Sequence, residues 1–193
     1  MKMPPVLMLM ASLSFLGCTH STPTRYYLLS VARELQPLPS ASSAPVMLRQ
    51  LRLPEYLDRT EIVRRRSVNE LGISDNHLWG EKLGVATATT LERNLAQLLG
   101  DKTLLFAGRH SVPANCRCLN VVLHQFEADA DNVFNADGYC YLEKANGAEL
   151  SLLLRVSHSQ PLADDSVGAL VDAYNDALAD IAKQIAAALT ALP

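Results

Sequence analysis

The sequence contains none of the short motifs that mark common catalytic sites. It has no Gly-x-Ser-x-Gly nucleophile elbow, no phosphate-binding loop, no dinucleotide fingerprint and no His-Glu-x-x-His helix, and its nine glycines and five histidines are dispersed. We therefore predict that the protein is not an enzyme and that it uses neither a cofactor nor a metal ion. A Ser-His-Asp arrangement assembled from distant segments stays open as an alternative, because catalytic triads are recognised by geometry.

Long apolar stretches are also scarce. An apolar run extends from Val6 to Leu16, and no later run approaches the length of a membrane-spanning helix. The first run follows a single positive charge, Lys2, and is too short to cross a bilayer core of about 30 Å. These features predict a secretory signal peptide over residues 1–17.

Cys18 follows the apolar run directly. The order Phe15-Leu16-Gly17-Cys18 resembles the lipobox of bacterial lipoproteins, in which the cysteine is acylated and the signal peptide is cut before it. At about 0.8 kcal/mol per buried methylene, several acyl chains would hold the protein on a membrane lastingly. An ordinary signal peptide with an incidental cysteine is the alternative. We expect residues 18–24 to form a lipidated tether and residues 25–193 to form one folded domain.

The charges are few and unevenly distributed. The formal net charge is −3, which argues against nucleic acid as a partner. Residues 1–126 contain 14 Lys and Arg against 9 Asp and Glu, whereas residues 127–193 contain 3 against 11. Either the two parts pack together within one monomer, or they form two electrostatically distinct faces.

Three cysteines remain after Cys18, namely Cys116, Cys118 and Cys140. Cysteines of exported proteins usually pair, because the compartment is oxidising. We expect one cross-strand disulfide between Cys140 and Cys118, or between Cys140 and Cys116, and one remaining thiol. Zinc is the alternative, but Cys-x-Cys with one distant cysteine and His124 is not a recognised zinc-ligand spacing.

The pattern of apolar and turn-forming residues predicts the secondary structure. Helical spacing predicts long helices over residues 78–99 and 164–189, the first capped by Asp75 or Asn76 and ended by Gly100. Asn146-Gly147 predicts a hairpin turn. Strands are predicted over residues 25–30, 46–53, 60–66, 68–73, 103–107, 117–127, 133–143 and 149–157. The order predicts an α/β domain with a mixed, largely antiparallel sheet covered by two long helices.

Five segments, in this order, give the chain a family resemblance. They are the lipobox, Tyr26-Tyr27-Leu28-Leu29, Leu53-Pro54-Glu55-Tyr56-Leu57-Asp58-Arg59, Asn76-His77-Leu78-Trp79, and Leu119-Asn120-Val121 up to Phe126. Together they resemble the PqiC-type ABC-transport auxiliary lipoproteins over nearly the whole chain. The cysteine trio departs from the pattern that we associate with this family.

The resemblance implies a fold like the N-terminal domain of TolB and attachment to the outer membrane, facing the periplasm. It also implies an MCE-domain partner that forms a tube for lipid between the two membranes. We therefore expect a lipid transport subunit that docks this tube and is anchored in outer-membrane lipids by its acyl chains. A pilot or assembly lipoprotein for a secretion machine is the alternative from another class, and a lipid hydrolase is the third.

A rotationally symmetric tube would be matched best by a ring of identical subunits, and a closed ring needs head-to-tail contacts between two different patches. An arginine-rich segment and an acidic helix face offer such a pair, although either could be merely solvated. Two aromatic residues complete the candidate surface. For Trp79 we expect a core position at the start of the helix, and a surface role in partner docking is the alternative. The candidate partner-binding residues are Tyr26, Arg64, Arg65, Arg66, Trp79, Asp172, Asp176 and Asp180.

Overall fold

The computed structural model describes residues 22–39, 45–100, 104–105, 113–144, 147 and 150–192. The predicted signal peptide, Cys18 and the first part of the tether lie outside the described residues. Asn146 and most of the predicted strand over residues 103–107 also lie outside them. No helix within the described part of the chain is both long enough and apolar enough to cross a membrane.

The described residues form eight strands and two long helices. In chain order these are β1 (Arg25–Tyr27), β2 (Val46–Arg52), β3 (Glu61–Ser67), β4 (Glu70–Trp79), α1 (Leu83–Leu99), β5 (Leu104–Leu105), β6 (Arg117–Ala128), β7 (Val133–Lys144), β8 (Leu150–Pro161) and α2 (Val167–Thr190). A short 3-10 helix (Glu55–Leu57) lies between β2 and β3.

The strands form two mixed sheets. A three-stranded sheet has the order β1-β4-β3, and a five-stranded sheet has the order β5-β2-β6-β7-β8. In the larger sheet β2 is parallel to β5 and β6, and the remaining pairs are antiparallel. The predicted α/β class, with mixed strand pairing and two long helices, is confirmed, and the strands are divided between two sheets. Pro54 ends β2 because it lacks a backbone N–H, and the 3-10 helix then redirects the chain into the smaller sheet.

The first helix begins later than predicted. Residues 75–79 continue β4, in which Tyr26 pairs with Leu78 and Tyr27 with Trp79, so Asp75 and Asn76 do not cap α1. The Trp79 N–H donates to the Thr60 carbonyl at 2.6 Å. Pairing with β1 and β3 therefore overrides the local capping signal. Gly100 ends α1 as predicted, with φ 79° and its N–H donating to the Ala96 carbonyl.

The second helix agrees closely with its prediction but starts at Val167 rather than Asp164. Ser166 is its N-cap, and the Ser166 hydroxyl accepts a hydrogen bond from the Ala169 N–H at 3.0 Å. The Asp164 carboxylate instead accepts from the Ser166 N–H at 2.7 Å. The acidic residue thus supports the cap from outside the helix.

Tyr174 on α2 lies at the centre of the core. Its ring packs edge-to-face against Trp79 from β4, Phe126 from β6 and Phe134 from β7, with centroid distances of 5.2, 4.8 and 4.7 Å. All four residues are at most 2% exposed. The aromatic cluster therefore joins both sheets to the helical layer, and such ring pairs contribute more than their buried area alone.

The Tyr174 hydroxyl is buried and has no hydrogen-bond partner, and burial raises its pKa. Tyr174→Phe removes this desolvated group and keeps the ring, so we expect stability to be unchanged or to rise by about 1 kcal/mol. Tyr174→Ala should lose about 3–5 kcal/mol, because it leaves a cavity between the sheets. Urea unfolding measures both variants. A loss above about 1 kcal/mol for Tyr174→Phe would show that the hydroxyl is satisfied in solution.

Candidate functional site

Tyr56, in the segment Pro54-Glu55-Tyr56-Leu57, belongs to a polar network around a buried carboxylate. Glu127 on β6 is fully buried, and both of its carboxylate oxygens accept from the Tyr56 hydroxyl, at 3.1 and 3.0 Å. Arg65 on β3 donates from Nε to the same carboxylate at 2.9 Å and from Nη2 to the Tyr56 hydroxyl at 3.1 Å. Burial and the Glu127 charge raise the pKa of Tyr56. The network joins the smaller sheet to the larger one.

The three consecutive arginines have three different environments. Arg64 is half-buried and donates to the Asn132 side chain at 3.2 Å and to the Ser166 carbonyl at 2.9 Å. Arg65 belongs to the network with Glu127. Arg66 is exposed, and its side chain lies over Gly72 on the neighbouring strand β4. A Cβ added at Gly72 would lie 2.4 Å from Arg66 Nε. Arg66 is therefore the member of this run that is best placed to meet a partner.

The uneven charge distribution is partly explained within the monomer. Arg49 and Arg65, from the basic part of the chain, form ion pairs of 3.0 and 2.9 Å with Glu143 and Glu127, from the acidic part. Asp165 lies beside Arg64 and accepts a hydrogen bond from the Asn132 side chain. The structure thus supports packing of complementary charges within one molecule.

An open cavity of about 610 Å³ lies beside the arginine run. Its lining includes Arg64 and Arg66 but also Asp129 and Asp165. Arg65 also lines it, so three arginines and two aspartates share the cavity and its lining carries both signs of charge. Among the described residues, no group of three or more His, Cys, Asp or Glu side chains is arranged to hold a metal ion.

The predicted acidic face lies on α2. Asp172 and Asp176 are exposed, and Asp176 accepts from the Gln160 side chain at 3.3 Å. Asp180 is half-buried, lies 3.1 Å from His158 Nδ1 and accepts from the Gln184 side chain at 3.0 Å. Asp180 therefore ties α2 to β8, whereas Asp172 and Asp176 are exposed.

The two candidate aromatic residues lie in opposite environments. Tyr26 is 69% exposed, and the nearby Leu28 is 63% exposed. Tyr27 points inward and its hydroxyl lies 2.8 Å from His77 Nδ1. Trp79 is 2% exposed at the end of β4, so its proposed role in partner binding was wrong and it is a core residue. Tyr26 alone of the two candidates is available to a partner or a membrane.

The cysteines do not have the predicted arrangement. All three are buried free thiols. Cys118 pairs with Glu143, and Cys140 pairs with Val121, three residues further along β6. Since side chains alternate along a strand, Cys118 and Cys140 lie on opposite faces of the sheet. The predicted disulfide between Cys140 and Cys118 or Cys116 was therefore wrong. Burial in the main core raises the pKa of Cys140 to about 11.

Sequence reasoning missed Glu127, although a signal for it existed. A glutamate between Phe126 and Ala128 in an apolar strand predicts a buried charge in need of a cation. The residues that satisfy it, Tyr56 and Arg65, lie some 60 to 70 positions earlier in the chain. Their separation in sequence concealed the contact.

Two solved structures share this fold. The crystal structure of an uncharacterised protein matches with a TM-score of 0.70 and 19% identity, over 87% of this chain and 99% of that chain. A Xanthomonas campestris protein of the DUF330 family matches with a TM-score of 0.68 and 14% identity, over 83% and 92%. At these identities the likeness establishes the fold alone. No curated protein matches the chain significantly.

The sequence model of the family described as "ABC-type transport auxiliary lipoprotein component" matches residues 26–186. Because the match covers most of the chain, the protein belongs to this family, and the predicted membership is confirmed. The matched region contains the network around Glu127 and all candidate partner-binding residues, from Tyr26 to Asp180. It begins directly after the predicted tether.

Proposed function

We propose that this protein is an outer-membrane lipoprotein of an MCE-type intermembrane lipid transport system, in which it docks the periplasmic tube at the outer membrane. The observation that carries the proposal is the family match over residues 26–186. The lipobox ending at Cys18 supports it, because an auxiliary component that acts as a dock needs an anchor and no catalytic chemistry.

The anchor would fix the height of the domain above the membrane. The tether from Thr19 to Thr24 has six residues and spans at most about 20 Å. Tyr26 and Leu28, shortly after this tether, are the first exposed large hydrophobic side chains in the described part of the chain. A tyrosine suits the membrane–water interface because one end of its side chain is apolar and the other is polar. The β1 edge would therefore face the membrane.

The localisation in this proposal is tested through the residue after the lipidated cysteine. In the sorting rule that we associate with enterobacterial lipoproteins, an aspartate at this position retains the product at the inner membrane, and Thr19 lacks that signal. If the organism uses this rule, Thr19→Asp should move the protein from outer-membrane to inner-membrane fractions of a sucrose gradient. Thr19→Ser is the matched control and should stay with the outer membrane. Recovery of the unmodified protein in inner-membrane fractions would contradict the proposal.

The ring would use Arg66 and Asp172 as its two opposed patches, because both are exposed and lie on different elements. Arg66→Glu should lower the oligomer mass seen by light scattering at low salt, and adding Asp172→Lys should partly restore it. Arg155→Glu, on an exposed arginine of β8, is the control and should leave assembly unchanged. A protein that is monomeric at high concentration and low salt would contradict the ring.

A further inference from the structure

Three sulfur-bearing side chains form a buried cluster apart from the main core. Met47 on β2 and Cys118 on β6 are register partners, and Cys116 precedes Cys118 by two residues. Their exposed fractions are 9%, 0% and 1%. Val46 and Leu119, their chain neighbours, belong to the main core. The sulfur cluster therefore lies on the opposite face of the larger sheet.

The two thiols of this cluster are mutual neighbours. Burial, followed by the charge of Cys118 and a hydrogen bond with it, raises the pKa of Cys116 to about 11. The Arg49 guanidinium lies close enough to oppose part of this increase. Arg49 is held in position by an ion pair of 3.0 Å with Glu143, which is the register partner of Cys118.

We propose that Met47, Cys116 and Cys118 form a binding site for a soft monovalent metal ion, Cu(I). Thiolate and thioether sulfur are the donors that select Cu(I) among biological metals. Binding would form two bonds to thiolates and one to the thioether, and the two thiols would release their protons to solvent without electron transfer. The complex would carry one negative charge beside the ion pair of Arg49 with Glu143.

Two competing uses of this cluster fit the structure less well. Structural zinc prefers four ligands, and the cluster offers only two anionic ones. A disulfide is the other use of two neighbouring cysteines, but Cys116 and Cys118 are free thiols in the structure. A metal ion bound between the two sulfur atoms does not require a bond between them. The site does not depend on the proposed docking function.

Competition with a coloured ligand tests the site. The mature protein in detergent would be titrated, without oxygen, against Cu(I) held by bicinchoninate. The unmodified protein should withdraw one equivalent of copper. Cys116→Ser and Cys118→Ser should each lower the affinity about 100-fold or more, and Met47→Leu, which keeps the volume, should lower it about tenfold. Cys140→Ser, a buried thiol on the opposite face, is the control and should bind like the unmodified protein.

Several results would overturn the proposal. These are copper left entirely with bicinchoninate, equal loss in Cys140→Ser, full affinity in Met47→Leu, or a Cys116–Cys118 bridge in protein isolated without reductant. Circular dichroism checks that each variant is folded. If a serine variant does not fold, X-ray absorption at the copper edge of the unmodified protein decides, because the proposal requires sulfur donors only and nitrogen or oxygen donors would refute it.

Discussion

Cys18→Ser should abolish acylation and leave the protein unprocessed or soluble. Acylation forms a thioether and so requires the cysteine sulfur. Each buried methylene contributes about 0.8 kcal/mol to membrane binding, so the loss of several acyl chains removes an essentially permanent anchor. Fractionation of cells into membrane and soluble material measures the effect, and the mass of the mature N-terminal peptide shows whether acyl chains are present.

Cys140→Ser is the control for this experiment, because Cys140 lies in the core of the domain and far from the signal peptide in sequence. This variant should be acylated and retained like the unmodified protein. A Cys18→Ser protein that is still cut after Gly17 and recovered in outer-membrane fractions would refute the lipobox interpretation.

The second large effect is expected at Arg65. Arg65→Met removes the cation that pairs with the fully buried Glu127 and leaves Tyr56 as the remaining side-chain donor to that carboxylate. An uncompensated buried charge costs about 3–5 kcal/mol, so we expect a loss of that size in the free energy of unfolding. Urea unfolding measures it. Arg66→Met, on the exposed neighbour, should change stability by less than about 0.5 kcal/mol.

A double variant separates the ion pair from simple packing. Arg65→Met combined with Glu127→Leu replaces both charged partners with apolar side chains and should recover much of the lost stability, since no buried charge remains. If Arg65→Met alone loses less than about 1 kcal/mol, the network does not hold the two sheets together as we describe.

The elements that sequence analysis predicted well are those whose own residues determine them. The buried apolar face of α2 follows from the helical periodicity of its sequence. The end of α1 at Gly100 follows from a positive φ that favours glycine. The strands β6 and β7 were predicted to within about one residue, because each is long and apolar on one face.

The features that were missed depend on contacts between distant segments. Asp75 and Asn76 look like helix caps, but they lie within β4, which pairs with β1 and β3 on either side of them in sequence. The separation of the smaller sheet follows from the direction that the chain takes after Pro54. The cysteine prediction failed for a similar reason. Cys140 pairs with Val121, three residues beyond Cys118 on β6, and this register places the two cysteines on opposite faces of the sheet.

The segments that carry the family resemblance have structural roles where the structure describes them. Tyr56 closes the network around Glu127, and Trp79 packs against Tyr174 in the core. Tyr56 and Trp79 therefore identify the fold of the family, whereas Tyr26 and Leu28, in the first of these segments that the structure describes, are exposed. The residues best placed for partner binding, Tyr26, Arg66 and Asp172, are exposed and lie on different elements.

The docking function is tested most directly by crosslinking in native membranes. A tagged, acylated form of the protein would be crosslinked in cells and purified under denaturing conditions, and its partners would be identified by mass spectrometry. The Cys18→Ser variant is the control and should lose the partner. Our account predicts that an MCE-domain protein is the main crosslinked partner. Recovery of a secretin without any MCE-domain protein would contradict the account and support the pilot-lipoprotein alternative.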